Sequence, residues 1–227
     1  MAITVTGKLG PAIDTADATS KVTASWTPAS NTPYVLVVFN RIASGTANEP
    51  TVTGNGMTWV SFETVLNSGN RRITLFRTLH ASPSAEEITI DFAGQTQTQN
   101  AHMLVEFAGA DTSGTNGSGA IVQSGEHGSG SGTSYSITLS AFGSVNNVGF
   151  GASYHFANEV TTPGTDWTEL YDIATAENTT GLQSQWKLND NVVTASWASS
   201  VDRLGVGCEI KAAVASFNVK PTMFLVF

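Results

Sequence analysis

The sequence predicts an all-β protein, a jelly-roll-like sandwich of two sheets, on three observations. Segments rich in Val, Ile, Thr and aromatic residues alternate at short spacing with clusters of Gly, Asn, Ser and Thr. Several of those segments alternate apolar and polar residues with period two, as a sheet with one dry and one wet face requires. No stretch keeps an i, i+3, i+4 apolar pattern for three turns, so long helices are not expected.

The candidate strands begin with Lys21–Thr27 and Tyr34–Asn40. The second holds the apolar run Tyr34–Phe39, six residues long and too short to cross a bilayer. Met57–Val65 and Arg71–His80 follow. In Glu87–Phe92 the side chains of Ile88, Ile90 and Phe92 share one face, and Glu87, Thr89 and Asp91 the other. Next come Ala101–Ala108, Ser134–Ser140, Asn147–His155, Thr165–Tyr171, Gly181–Leu188 and Val192–Ala198. In Arg203–Ala213, Leu204, Val206, Cys208 and Ile210 point one way, and Gly205, Gly207, Glu209 and Lys211 the other.

A weak internal duplication runs through these segments. ITIDFAG (Ile88–Gly94) aligns with VTASWAS (Val193–Ser199), matching Phe92 to Trp197. VEFAGA (Val105–Ala110) aligns with CEIKAA (Cys208–Ala213), matching Glu106 to Glu209. GMTWVSFETV (Gly56–Val65) aligns with GTDWTELYDI (Gly164–Ile173), matching Trp59 to Trp167. The expected organisation is one sandwich over residues 1–227, with half-units at about 21–110 and 135–213. The Gly/Ser-rich stretch 111–134 reads as a flexible connection or long surface loop. Two tandem sandwiches are the alternative. An apolar tail covers 218–227.

Composition narrows the function classes. Charged residues are 12% of the chain, about half the usual share, and 10 Lys+Arg against 18 Asp+Glu leave a net charge of −8. That balance argues against a nucleic-acid binder, which needs a basic face to neutralise phosphates. No apolar run suits a membrane span. The N-terminal MAITVTGKLGP lacks a basic region followed by 7–15 apolar residues, so folding in the cytoplasm is expected. With Cys208 as the one cysteine, no intrachain disulfide forms and no cysteine-based metal site is expected.

The residues that carry chemistry elsewhere read here as structural. Glu86, Glu87 and Asp91 are the one dense carboxylate group, but no second acidic strand supports the paired carboxylates of a glycoside hydrolase. His80, His102, His127 and His155 do not stand at metal-ligand spacing, and no G-x-S-x-G elbow accompanies them. Cys208 reads as a small buried hydrophobe. The matched places of Trp59 and Trp167, and of Trp197 opposite Phe92, point to core positions rather than a sugar-stacking platform. Trp26 and Trp186 complete the set, Trp186 with the most room to be exposed. Asp111 and Asn116 show no calcium-loop pattern. No catalytic residue, cofactor or metal is assigned. The segment TMFLVF (Thr222–Phe227) holds almost nothing polar, so it either closes the sandwich or docks on a partner through Met223, Phe224, Leu225 and Phe227.

The succession of Gly56–Val60 (GMTWV), Arg72–Arg77 (RITLFR) and Val105–Asp111 (VEFAGAD) resembles a β-sandwich module of tailed-phage virion structural proteins and bacterial surface proteins. The likeness spans roughly Lys21 to Ala213 as texture and spacing. It implies a non-enzymatic structural or adhesive role. Because no secretion signal is read, the expectation falls on a virion component, most of all a capsid decoration protein. Its partners would be the major capsid protein or other virion proteins, with a trimer as the favoured homo-oligomer. The alternative is a carbohydrate-binding or adhesion module of the kind found at a phage tail tip.

Overall fold

The computed structural model describes residues 2–128, 130–176 and 179–214. Their regular structure is β-strand throughout, apart from one 3-10 turn at Ser118–Ala120. The first eight strands are β1 (Thr4–Asp14), β2 (Ser20–Val22), β3 (Tyr34–Arg41), β4 (Thr51–Gly54), β5 (Val60–Asn67), β6 (Arg71–Thr78), β7 (Ile88–Asp91) and β8 (Gln99–Ala108). They pair antiparallel as a five-stranded sheet, β1-β8-β3-β6-β5, and a three-stranded sheet, β2-β7-β4.

The remaining strands are β9 (Ile121–His127), β10 (Ser131–Thr138), β11 (Val148–His155), β12 (Thr162–Pro163), β13 (Thr168–Thr175), β14 (Thr180–Leu188) and β15 (Val192–Ile210). The long β15 changes sheets along its length. Its residues 192–202 pair with β10 and β12, and its residues 203–210 pair with β11 and β9. The second set therefore reads β9-β15-β11-β14-β13 and β10-β15-β12. That is the pairing order of the first set, with β15 standing first for β7 and then for β8.

The two five-stranded sheets face each other across one hydrophobic cluster. Val35, Val37, Phe39, Ile73, Leu75, Met103 and Phe107 come from one sheet, and Phe150, Tyr154, Leu182, Leu204, Val206, Cys208 and Ile210 from the other. Phe39 and Tyr154 hold corresponding places in β3 and β11 and stack on each other, with ring centroids 3.6 Å apart and planes 13° from parallel. Phe107 meets Phe150 edge to face at 5.5 Å. The edges exchange partners: β1 lies against β13, and β5 against β9. Polar bonds cross the same gap, from Gln99 Nε2 to Thr180 Oγ1 at 2.9 Å and from Tyr154 Oη to Gln99 Oε1 at 3.0 Å. Each fully buried aliphatic or aromatic side chain here contributes about 1.5–3 kcal/mol.

The three-stranded sheets cover the outer faces. In the first half, large residues of the big sheet (Tyr34, Leu36, Val38, Phe76, Leu104) pack against Ile88, Ile90 and Phe92. In the second half the sizes are reversed. Gly149, Gly151, Gly205 and Gly207 stand on the big sheet, and Trp167, Val193 and Tyr135 from the covering segments fill the space. A Cβ on Gly151 falls 2.1 Å from Val193 Cγ1, and one on Gly205 falls 2.5 Å from the Tyr135 ring.

Several sequence expectations are corrected. The stretch 111–134 is no loose connection: it holds the 3-10 turn, β9 and the start of β10. Two of its glycines serve close approach, since a Cβ on Gly128 falls 2.4 Å from Val65 Cγ2 and one on Gly125 falls 3.0 Å from Ile137 Cγ2, while Gly114, Gly117 and Gly130 take positive φ. The half-unit limits 21 and 135 leave out β1 and β9, which open the two pairing sets. The predicted Lys21–Thr27 shortens to β2, with Trp26 outside it in an isolated bridge to Glu86. Val192–Ala198 and Arg203–Ala213 merge into β15. The tail 218–227 lies outside the described residues.

The reversed packing gives a test. Gly151→Ala and Gly205→Ala place a methyl group into an occupied site and are expected to destabilise by about 1–3 kcal/mol. In thermal unfolding this is a melting point lower by roughly 3–10 °C. Gly143→Ala, with no atom within 4 Å of the added Cβ, is the control and leaves it unchanged.

Candidate interaction surface

The residues singled out in the sequence are dispersed, and most are absorbed into packing. Glu86, Glu87 and Asp91 are exposed, and Asp91 Oδ1 accepts a bond from Ala93 N at 2.7 Å in a tight turn. Cys208 is fully buried on the central cluster, and burial raises its thiol pKa, which leaves it unreactive. None of the five tryptophans is exposed. Trp59, Trp167 and Trp197 are buried, Trp26 is half-buried with its Nε1 donating to Asn55 Oδ1, and Trp186 is half-buried against the central core.

The loop residues Asp111 and Asn116 are satisfied from within. Asp111 pairs with Lys211 at 2.6 Å and takes the Ser113 N–H, and together these hold its carboxyl down to about 2. The Thr115 and Asn116 carbonyls both accept from Arg77. Among the described residues, no group of three or more His, Cys, Asp or Glu side chains converges as a metal site requires.

The histidines follow the expected structural pattern, with two unusual environments. His80 Nδ1 accepts from Ser82 N, and His127 Nε2 accepts from Arg203 Nε. His102 is buried on the outer face of β8, where desolvation and then the nearby Lys21 depress its pKa to about 4. His155 is buried with its ring stacked on Trp197 at 4.5 Å, its Nε2 beside Thr161 Oγ1 at 3.1 Å, and its pKa lowered to about 4 by desolvation. Nearby, burial pushes the Asp172 carboxyl up to about 6 while its Oδ2 accepts from Thr161 N.

The best-formed concavity lies at the opposite end of β11. It is a cleft of about 500 Å3 lined by Val122, Gly143, Ser144, Asn146, Asn147, Glu209 and the segment Lys211–Val214. Its polar groups are already engaged with one another. Glu209 is fully buried and accepts from Asn147 Nδ2 and Gln123 Nε2, both at 2.6 Å. Asn147 Oδ1 accepts from Ala212 N, and Gln123 Oε1 from Ser140 N. The backbone of 211–213 is tied across to the first half through Lys211 N to Ala120 O, Asp111 N to Lys211 O and Ala213 N to Gly109 O. What the cleft still offers is apolar surface. Val122, Val145, Leu188 and Val214, four of the eight exposed large hydrophobic residues described, gather at this end.

Little in the sequence marked this cleft. Glu209 was flagged by its match to Glu106, whose carboxylate is held in its own way by Tyr34 Oη at 2.6 Å and Lys8 at 3.0 Å. Val122 was hidden inside a stretch read as connection. Comparison of the chain with protein-family models, curated proteins and solved structures returns no match. Geometry and chemistry alone carry the functional reading.

The buried histidines set a pH dependence with a definite sign. Between pH 6.5 and about 4 the unfolded chain binds protons at His102 and His155 that the folded chain refuses, so each removes stability as pH falls. Asp172 opposes them, because the folded carboxyl takes its proton near pH 6 and the unfolded one near 3.8. The net expectation is a loss on the order of 2–3 kcal/mol between pH 7 and pH 5. Thermal unfolding at the two pH values checks it. His102→Asn should flatten the dependence, and an unchanged slope would remove histidine burial as its cause.

Proposed function

We propose that the protein is a non-enzymatic structural component of a virion, a decoration protein that folds alone and then binds an assembled shell. The strand order is the observation that carries this reading. The arrangement β1-β8-β3-β6-β5 with β2-β7-β4 is similar to the jelly-roll order, with β5 standing beside β6; jelly rolls build viral capsid and lectin domains. The dry, doubly covered sheets suit a protein that works by shape and stability. Its action would be mass action: a protein that binds the folded lattice and not its dissociated parts shifts the equilibrium towards the lattice.

One observation favours glycan binding as a second reading. Glu49, Pro50, Thr51, Val52, Trp59, Ser61 and Phe76 line a shallow groove of about 250 Å3 between the edges of β4 and β5. An aromatic ring beside a carboxylate and a hydroxyl is a combination that sugars engage.

Co-sedimentation with shells assembled from the major capsid protein of the same virus separates the two readings. Recovery at fixed stoichiometry, with a raised shell disassembly temperature, is the result expected of a decoration protein. Absence from the shell pellet, together with glycan-array binding that Trp59→Ala abolishes, would overturn it in favour of the adhesion reading.

A further inference from the structure

The outer face of the second large sheet carries one rung of polar side chains with unmet bonding capacity. Asp172 of β13 stands opposite Gln183 of β14, and Gln183 opposite Ser153 of β11. Side chains directly opposite in an antiparallel ladder share a face and meet. Ser153 and Gln183 are fully buried. Asp172 Oδ1, both polar atoms of the Gln183 amide and Ser153 Oγ are shut off from solvent, and none has a hydrogen-bond partner among the described residues. Tyr135 reaches in from the covering layer. Its Oη, also unpaired among them, stands 3.2 Å from where a Cβ on Gly151 would lie, two residues along β11 from Ser153. Gln185, two residues along β14 from Gln183, gives the contrast, since it donates to Thr194 O and accepts from Gly164 N. The covering layer thus satisfies one glutamine of this face and not its neighbour. Native proteins leave few buried polar atoms unpaired, and a cluster of them marks bound water or an ion.

We propose that this rung is an internal hydration site, in which ordered water bridges Asp172, Gln183 and Ser153. The chemistry of the unmet atoms selects the ligand. Gln183 Nε2 needs an acceptor, Gln183 Oε1 and an ionised Asp172 Oδ1 need donors, and the Ser153 and Tyr135 hydroxyls serve in either role. A metal cation would serve the oxygens and leave the amide N–H unmet. A simple anion would serve the donors and be repelled by the Asp172 carboxylate. Water does both, and the two to four polar partners that hold a buried water are present on this one rung. Burial pushes the Asp172 carboxyl up to about 6, as befits a group held away from bulk solvent. Asp172 Oδ2 already accepts from Thr161 N of the covering segment. Water on its other oxygen extends that tie across β14 to β11. The site does not rest on the virion reading and stands or falls separately from it.

A high-resolution crystal structure of the full chain tests the site directly. The expected result is density about 2.7–3.2 Å from the Gln183 amide and from Asp172 Oδ1 or Ser153 Oγ. A rung that packs dry overturns the proposal. Density ringed by oxygens alone, at about 2.3–2.6 Å, would make the occupant a cation and overturn it as well. Thermal unfolding gives an independent reading through its sign. Gln183→Met keeps the length of the side chain and removes both polar atoms. With water in place, the substitution strips bonds from a filled network and leaves Asp172 and Ser153 unmet, so the melting point falls by roughly 3 °C or more. Gln185→Met, which loses two bonds to backbone, is the reference and should fall comparably. If Gln183 is dry, the same change only removes two unpaired polar atoms. A melting point that rises or stays level in Gln183→Met therefore contradicts the proposal.

Discussion

The architecture depends on the burial of both faces of the two large sheets. One face of each packs on the other across the Phe39–Tyr154 stack, and a small sheet covers the opposite face. In β3 every residue from Tyr34 to Asn40 is buried, and in β11 the whole strand is. A central strand in such a stack has no wet side, so its polar side chains are driven to pair inside the protein, although Asn40 Oδ1, Ser153 Oγ and His155 Nδ1 have no partner among the described residues. Asn40 donates to Asn48 O and Gln97 Oε1, Gln99 joins Tyr154 and Thr180, and Gln185 bonds to Thr194 O and Gly164 N. The depressed histidines follow from the same constraint, because a dry face disfavours the charged ring.

The two halves meet this constraint in opposite ways. Large side chains on the big sheet leave the small sheet of the first half to contribute Ile88, Ile90 and Phe92. Glycines on the big sheet of the second half admit Tyr135, Val193 and Trp167 from outside. Volume removed on one side of the interface is supplied from the other. A substitution tolerated in one half therefore has no claim to be tolerated at the corresponding place in the other. The equivalent carboxylates diverge likewise, Glu106 being held by a phenol and an ammonium and Glu209 by two amides.

With both faces of the large sheets covered, exposed apolar side chains gather at one end of the molecule. Around the Val122–Val214 cleft the backbone is tied to both halves, through residues 109–111, 120 and 147, while the walls are largely apolar.

The sequence by itself determined the β class, most of the strand positions, and the burial of Cys208 and of Trp59, Trp167 and Trp197. Those features rest on local chemistry: period-two alternation, turn residues and composition act within a few residues and are visible in one dimension. Only the tertiary structure decided that 111–134 carries β9, that β15 serves two sheets, and that glycines at 149, 151, 205 and 207 are sites filled from outside. In each case the residue type answers to a neighbour distant in sequence. Gly128 is small because Val65 is beside it, and Gly151 because Val193 is, so a Gly/Ser-rich composition that reads locally as loop is in fact the imprint of close packing. The cleft belongs to the same class, for Val122, Asn147 and Glu209 are brought together only when β9 and β11 both pair with β15.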